Sequence, residues 1–160
     1  MALVKGTNSY ATVAEADVHF EDRLDVAAWH DADDDEKGQA LMTGTSILEY
    51  MDWTGVVVSE TQNLAFPRVG SYFDPRLGMQ VAFDSTETPN RIILATYELA
   101  HHFLNNDGLL DQTGRVRNLT VGSIVLHKIE APAKIPANVD RLIKPLLVNA
   151  GANLWWRDRK

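Results

Sequence analysis

A broad apolar stripe with helical spacing in the second half of the chain constrains the fold most. Thr88 is a good N-cap and Pro89 suits a first helical position, which predicts that a helix begins there. The Asn-Asn-Asp-Gly run at 105–108 predicts its end, because Asn and Gly tolerate the left-handed conformation common at helix ends. The stripe comprises Ile92, Ile93, Ala95, Thr96, Leu99, Ala100, Phe103 and Leu104. A helix with so broad a buried face is expected to be the central one.

Two further helices are predicted before this one and one after it. Thr12 and Glu15 form a capping-box pattern that begins the first helix, which is expected to run to just before the acidic run 31–36. That run places negative charge at the start of the second helix, where the helix dipole favours it. The last helix is predicted around 137–148, kinked or shortened by Pro145.

The segments between these helices complete the predicted fold. Residues 52–87 lose the helical periodicity and are rich in Gly and Pro, which predicts a long loop with partly packed or partner-binding portions. Residues 115–129 alternate with period two around Gly-Ser, which predicts a β-hairpin. The predicted fold is mainly α, a small bundle of about four helices with a long loop between helices 2 and 3 and a β-hairpin before the last helix. It forms one domain over 1–151, followed by a tail at 152–160.

Charge is distributed unevenly along the 160 residues. Residues 1–110 carry six Lys/Arg and eighteen Asp/Glu, a net of −12, whereas residues 111–160 carry nine and four, a net of +5. Such asymmetry favours contact between oppositely charged faces of neighbouring copies or with a separate partner, although a solvated surface explains it equally well. A net charge of −7 argues against tight non-specific nucleic-acid binding.

The sequence predicts no enzyme, cofactor or metal site. Cysteine is absent, which excludes disulfides, thiol nucleophiles and Cys-ligated metals. Asp31, Asp33 and Asp35 copy the start of a calcium loop, but its glycine and its final glutamate are missing. His101 and His102 are adjacent on a helix and therefore diverge, unlike a helical metal-binding pair. No phosphate-binding loop, nucleophile elbow, membrane span or signal peptide is predicted either.

Two features are candidates for recognition. The loop segment 62–70 combines an aromatic, a proline and an arginine, and here structural packing and partner recognition are equally open. The candidate contact residues in this loop are Phe66, Arg68, Tyr72 and Phe73. The tail places large aromatics beside cations, the residue types enriched at interface hot spots. Its candidate residues are Leu154, Trp155, Trp156, Arg157, Arg159 and Lys160.

The order and spacing of several short motifs resemble the tailed-bacteriophage head–tail connector adaptors, a family often labelled DnaT-like single-stranded-DNA-binding proteins. The resemblance spans nearly the whole chain. One departure is Phe66, where tryptophan is expected before Pro-Arg. The motifs are Ser9-Tyr10-Ala11-Thr12-Val13-Ala14-Glu15-Ala16-Asp17, Ala27-Ala28-Trp29, Asp52-Trp53-Thr54-Gly55, Gln62-Asn63-Leu64-Ala65-Phe66-Pro67-Arg68, Tyr97-Glu98-Leu99-Ala100, Val121-Gly122-Ser123, and Ile135-Pro136 with Val139-Asp140-Arg141-Leu142-Ile143-Lys144-Pro145-Leu146-Leu147.

The resemblance implies a structural subunit of the virion neck, made in the host bacterial cytoplasm. Members form a ring, usually dodecameric, beneath the portal protein, which extends the DNA channel and docks the next connector or tail protein. DNA would pass through this channel without specific binding. We expect the tail aromatics to bury against the portal while the tail cations pair with portal carboxylates. The alternative prediction is a single-stranded nucleic-acid-binding module, suggested by aromatics beside cations in the tail and loop.

Overall fold

The computed structural model describes residues 2–106, 118–121, 124–127 and 135–148. Within these ranges lie five α-helices, and a short 3-10 helix, Lys144–Leu146, follows the last. None of them is long and apolar enough to cross a membrane. The helices are α1 (Val13–Glu21), α2 (Ala27–Asp31), α3 (Asp34–Glu49), α4 (Asn90–Asn105) and α5 (Ala137–Ile143).

Two of the predicted helix starts are confirmed by their capping geometry. The Thr12 hydroxyl accepts a hydrogen bond from the Glu15 amide at the start of α1, and the Glu15 carboxylate accepts one from the Thr12 amide. Asp33 and Glu36 form the same reciprocal pair before α3. The acidic run therefore caps a helix and satisfies backbone N–H groups that would otherwise lack partners.

The predicted single first helix is wrong, because the chain breaks into α1 and α2. Asp25 between them adopts a left-handed φ of +60°. The break turns the chain so that Trp29 packs against Phe20, with ring centroids 4.8 Å apart, and donates its indole N–H to Asp17 at 2.9 Å. Burying the indole of Trp29 with its N–H satisfied compensates for interrupting the helix.

The structure gives the exact position of the two proline-marked helix boundaries. Pro89 occupies the N-cap of α4, so the helix begins at Asn90, and Thr88 makes no capping bond. Extended backbone at Pro89 explains the shift, since its ψ of 137° lies outside the helical region. The predicted shortening at Pro145 is confirmed, because α5 ends at Ile143 and continues only as the 3-10 helix.

The region predicted as a long loop contains four short strands, which corrects the prediction for this region. Strand β1 (Val56–Val57) pairs antiparallel with β2 (Arg68–Val69), and β3 (Ser71–Asp74) pairs antiparallel with β4 (Met79–Ala82). The predicted later hairpin is confirmed as β5 (Asn118–Val121) and β6 (Ile124–His127). The described part is thus mainly helical in coarse outline, with three two-stranded sheets added.

Helix α4 lies between two clusters of buried side chains, which confirms its central position. Leu99 packs into the cluster shared with α5 and the loop, and Ala100 packs into the cluster shared with α1, α2 and α3. Gly44 on α3 approaches α4 closely, since a Cβ there would lie 3.1 Å from the Leu99 Cβ. Gly44 therefore allows α3 to approach α4 closely at this position.

Candidate interaction surface

The Arg68 side chain links separate parts of the segment between α3 and α4 through hydrogen bonds to main-chain carbonyls. Its Nε donates to the Thr54 carbonyl at 2.9 Å, and its Nη2 donates to the carbonyls of Trp53 at 3.3 Å and Gly55 at 2.6 Å. Its Nη1 donates to Ala65 at 3.2 Å. The planar fork of N–H donors on an arginine suits this arrangement, because it can reach several carbonyl oxygens at once. The guanidinium of Arg68 thus joins the chain before β1 to the chain before β2.

Phe66 fills the centre of this region. Its side chain is only 3% exposed, and its ring meets those of Trp53 at 5.2 Å and Phe83 at 5.8 Å in edge-to-face geometry. Tyr10 adds a third edge contact at 6.4 Å. Aromatic pairs at these distances and angles stabilise beyond the area they bury. Phe66 therefore anchors the loop to the helical core.

Glu49 at the end of α3 provides a second anchor for the same region. One carboxylate oxygen accepts the Tyr10 hydroxyl, and the other accepts the Ala65 amide at 2.8 Å. Burial and the neighbouring Glu49 raise the pKa of Tyr10, so its phenol stays protonated and acts as the donor. The N-terminal segment, α3 and the loop thus meet at one carboxylate.

Close backbone contact holds the first sheet against the second. Gly55 has a φ of +79°, and a Cβ there would overlap the carbonyl oxygen of Val69. Gly70, with a φ of +137°, would bring its own Cβ to 3.0 Å from the Cα of Gly55. The amide of Phe83 donates to the Gly70 carbonyl at 2.9 Å and so continues the β3–β4 pairing. Residues 68–74 therefore run as one ribbon strand that pairs first with β1 and then with β4.

Side chains alternate along this ribbon strand. Val69, Ser71 and Phe73 are exposed, whereas Tyr72 is half-buried and Asp74 is buried. The cross-strand partners of the exposed residues, Val56, Ala82 and Gln80 respectively, are exposed as well. We call this set the outward ribbon face: it comprises Val56, Val69, Ser71, Phe73, Gln80 and Ala82.

The outward ribbon face carries no charge, and four of its six residues are apolar. Val56 and Val69 lie directly opposite each other and are 65% and 49% exposed, while Phe73 is 42% exposed. Of the twelve large hydrophobic side chains exposed among the described residues, seven fall between 56 and 79, and three of these belong to the outward ribbon face. Concentrated exposed apolar surface of this kind is typical of an interaction site.

The opposite side of the β3–β4 hairpin faces the start of α4 across a cleft of about 440 Å³. Asp74 lies in this cleft, where it accepts hydrogen bonds from the Arg76 amide at 2.8 Å and from the Arg91 guanidinium at 3.1 Å. These donors hold the pKa of Asp74 below its usual range. Tyr72 stacks on Phe83 in the cleft wall, with centroids 5.1 Å apart. These contacts fasten the hairpin to the helical core.

Most of the cations in residues 2–106 form ion pairs or hydrogen bonds within the chain. Of the six Lys/Arg in residues 2–106, five bond to carboxylates or carbonyls of the same chain: Lys5 with Glu15, Arg23 with Glu98, Lys37 with Asp17, Arg91 with Asp74, and Arg68 with carbonyls. The same residues include seventeen Asp/Glu. This part of the molecule therefore presents an acidic surface with few cations available to phosphate groups.

The four loop residues predicted as partner contacts lie in different environments. Phe66 is buried, Arg68 is bound to carbonyls, and Tyr72 is half-buried against Phe83. Phe73 is exposed on the outward ribbon face. The six predicted tail residues, at 154–160, lie outside the described residues, and so does the domain boundary predicted at 151/152.

Sequence reasoning did not single out Val69, Glu49 or Asp74. A signal for the hairpin was present, because Val69, Ser71 and Phe73 alternate with residues of the other face, and the run 75–78 offers Pro and Gly for a turn. No local signal marks Glu49, since its partners Tyr10 and Ala65 are distant in sequence.

Asp33, His101 and His102, which belong to residue types that bind metals, make structural contacts instead. Asp33 belongs to the capping box of α3. His101 packs 5.6 Å from the Phe20 ring, and His102 bonds Asn106 through its ring nitrogen and its carbonyl. In the part of the chain that the structure describes, no group of three or more His, Asp or Glu could hold a metal ion.

Comparison with known proteins identified one family. A family model described as "Putative DnaT-like ssDNA binding protein" matches residues 2–157. No curated protein and no solved structure matches the chain.

Proposed function

Since the chain belongs to this family of DnaT-like single-stranded-DNA-binding proteins, a match that covers residues 2–157, we propose a function within it: a structural subunit that assembles with its own copies as a phage head–tail connector. The family description names DNA binding and does not mention a connector. The connector proposal therefore rests on the sequence resemblance and on the character of the described surface.

The observation that supports this proposal is that Phe66 and Arg68, the aromatic and the cation of the loop, make their contacts within the chain. Phe66 and Arg68, the pair that suggested base stacking beside a phosphate contact, are committed to the core and to four main-chain carbonyls. Binding of single strands needs exposed aromatics along a positive groove. The acidic surface of residues 2–106 suits a wall that DNA passes without being held.

Single-stranded DNA binding is the second candidate, and the family description favours it directly. On this chain it would draw on residues 111–160, which carry nine of the fifteen Lys/Arg together with Trp155 and Trp156. The tail at 152–160 lies outside the described residues, so the support for this candidate comes from the sequence and the family description.

Two measurements on the full chain distinguish the candidates. For the connector, we expect electron microscopy of virion necks to show the chain as a collar directly under the portal, and mature particles that lack the polypeptide would contradict it. For DNA binding, a salt-dependent shift of an oligothymidine by the purified protein at physiological salt would favour the second candidate.

A matched pair of variants locates any DNA or portal contact. Arg157→Gln with Arg159→Gln and Lys160→Gln removes the tail cations, and the control, Arg141→Gln with Lys144→Gln, removes two exposed cations of the described body. We expect the tail variant alone to weaken attachment to the portal. Attachment that survives both the tail variant and deletion of 152–160 would contradict portal docking by the tail.

A further inference from the structure

We propose that the outward ribbon face is a contact surface for a second copy of this chain. This inference rests on the proposed assembly function and assigns the part of the described surface that carries it. The face is formed by the exposed side chains of the ribbon strand and their cross-strand partners, and Val56, Val69 and Phe73 are its largest members.

The charge distribution favours a protein partner over nucleic acid or lipid. The six residues of the face carry neither cation nor anion. Phosphate groups of DNA or of anionic lipids gain their attraction from Lys and Arg, which this face does not offer. Exposed valines and a phenylalanine instead match the apolar centre of a protein interface, where charged residues are depleted.

The charge distribution also favours a second copy of this chain over other protein partners. Two copies of a chain with a net charge of −7 repel each other over most of their surfaces. An uncharged face lets them approach without burying unpaired carboxylates, which would be costly. Residues 1–110, with a net charge of −12, and residues 111–160, with a net charge of +5, also give neighbouring copies opposite charges that attract each other.

The ribbon architecture supports the same conclusion. Each of the two sheets that form the face has only two strands, so each strand has one edge without a sheet partner. Such edges offer unpaired backbone N–H and C=O groups to another chain, and charge, proline or a very short strand limits this pairing. β1 consists of two valines, Val56 and Val57, which carry no charge. The edge beside the face therefore lacks the charged residues that usually prevent association.

The attachment of the ribbon strand to the helices also supports a contact through the outward ribbon face. Arg68, Phe66 and Glu49 fasten the ribbon strand to the helices, so its outward side chains are displayed on a rigid support. A preorganised surface loses less conformational entropy on binding than a mobile loop does. The internal roles of Phe66 and Arg68 thus position Phe73 and Val69 for contact.

The test measures self-association of the full-length chain. In the variant Val69→Glu with Phe73→Glu, two carboxylates are placed on the face, and in the control Val18→Glu one is placed on α1, where Val18 is 72% exposed. Sedimentation velocity over a wide concentration series is expected to show assembly of the wild type and of the control. The face variant is expected to associate about a hundredfold or more weakly, because burying unpaired like charges is costly. Circular dichroism checks that all three proteins fold.

A thiol probe locates the contact independently of any charge change. The chain has no cysteine, so Ser71→Cys gives a single attachment point on the face and Val18→Cys gives one away from it. An environment-sensitive dye at position 71 is expected to shift to the blue as the protein concentration rises, whereas the dye at position 18 stays unchanged.

Several outcomes would overturn the inference. A face variant that assembles like the wild type would overturn it while leaving the proposed assembly function intact. A wild type that stays monomeric, with the position-71 dye unchanged, would also overturn it, and neck microscopy would then decide the connector role separately. Loss of portal or DNA binding in the face variant, with self-association preserved, would assign the face to that other partner.

Discussion

Gly44 on α3 lies directly against Leu99 on α4, where a Cβ at position 44 would approach the Leu99 Cβ to 3.1 Å. The Thr96 carbonyl oxygen, at 3.3 Å, and the Ala100 amide nitrogen, at 3.5 Å, belong to the backbone of α4 and cannot rotate away. The glycine is therefore what lets the two longest described helices pack at this distance. It explains why α3 contains a residue that costs helix stability.

The first prediction concerns this contact. We expect Gly44→Ala to lower the free energy of unfolding by roughly 1–2 kcal/mol, because the gain in helix propensity is smaller than the cost of forcing the helices apart. Gly38→Ala is the matched control, since its nearest neighbour, the Leu3 Cβ, lies at 4.0 Å. It should stabilise the protein by up to about 1 kcal/mol. Urea unfolding measures both, and a stabilised Gly44→Ala would contradict the packing argument.

The second prediction concerns the carbonyls gathered by Arg68. We expect Arg68→Lys to cost roughly 2 kcal/mol of unfolding free energy, because a single ammonium cannot reach carbonyls that the guanidinium fork bridges. Arg76→Lys, at an exposed position in the β3–β4 turn, should change stability by less than about 0.5 kcal/mol. If both substitutions change the free energy of unfolding equally in thermal or urea unfolding, the hydrogen bonds of Arg68 do not stabilise the fold.

The third prediction concerns the hydroxyl that Tyr10 donates to Glu49. Tyr10→Phe leaves the aromatic packing in place and removes one hydrogen bond to a partly buried carboxylate, so we expect a loss of about 1–2 kcal/mol. Tyr50→Phe serves as the control, because Tyr50 is 85% exposed. Hydrogen exchange at the Ala65 amide should also quicken in Tyr10→Phe, since that amide shares the carboxylate. Unchanged exchange and stability would argue against the shared anchor.

The fourth prediction concerns pH. His19 stacks on Tyr97 with ring centroids 4.8 Å apart, and His101 packs near Phe20. Burial lowers the pKa of both histidines; Arg23 lowers it further, while Glu98 opposes the shift. An unfolded histidine titrates near 6.5, so below that pH the unfolded chain binds more protons than the folded one. The two histidines therefore lower the free energy of unfolding as the pH falls from about 6.5 towards their folded-state pKa values.

The combined variant His19→Gln and His101→Gln measures this contribution. We expect the free energy of unfolding to fall less steeply between about pH 7 and 5 in the variant than in the wild type. His30→Gln, at an exposed position on α2, is the control and should keep the wild-type slope. Identical slopes for all three proteins would show that the two histidines do not couple folding to protons.

The sequence determined the features that depend on near neighbours in the chain. The capping box at Thr12, the helix start within the acidic run 31–36, the shortening at Pro145 and the β5–β6 hairpin were all predicted, because each depends on residues a few positions apart. The apolar stripe of α4 was equally readable, since one helix shows its own periodicity. Such interactions act in the same way whatever the remaining chain does.

Only the tertiary structure decided which side chains of the 52–87 region face outward. Phe66 and Arg68 were equally compatible with recognition and with packing until the positions of Trp53 and the carbonyls of 53–55 were known, more than ten residues away in sequence. The break before α2 likewise depended on where Trp29 could be buried. Burial and hydrogen-bond partners form between distant segments, so their free energy is not encoded in any local run of residues. The outward ribbon face is what remains exposed once those distant contacts have been made.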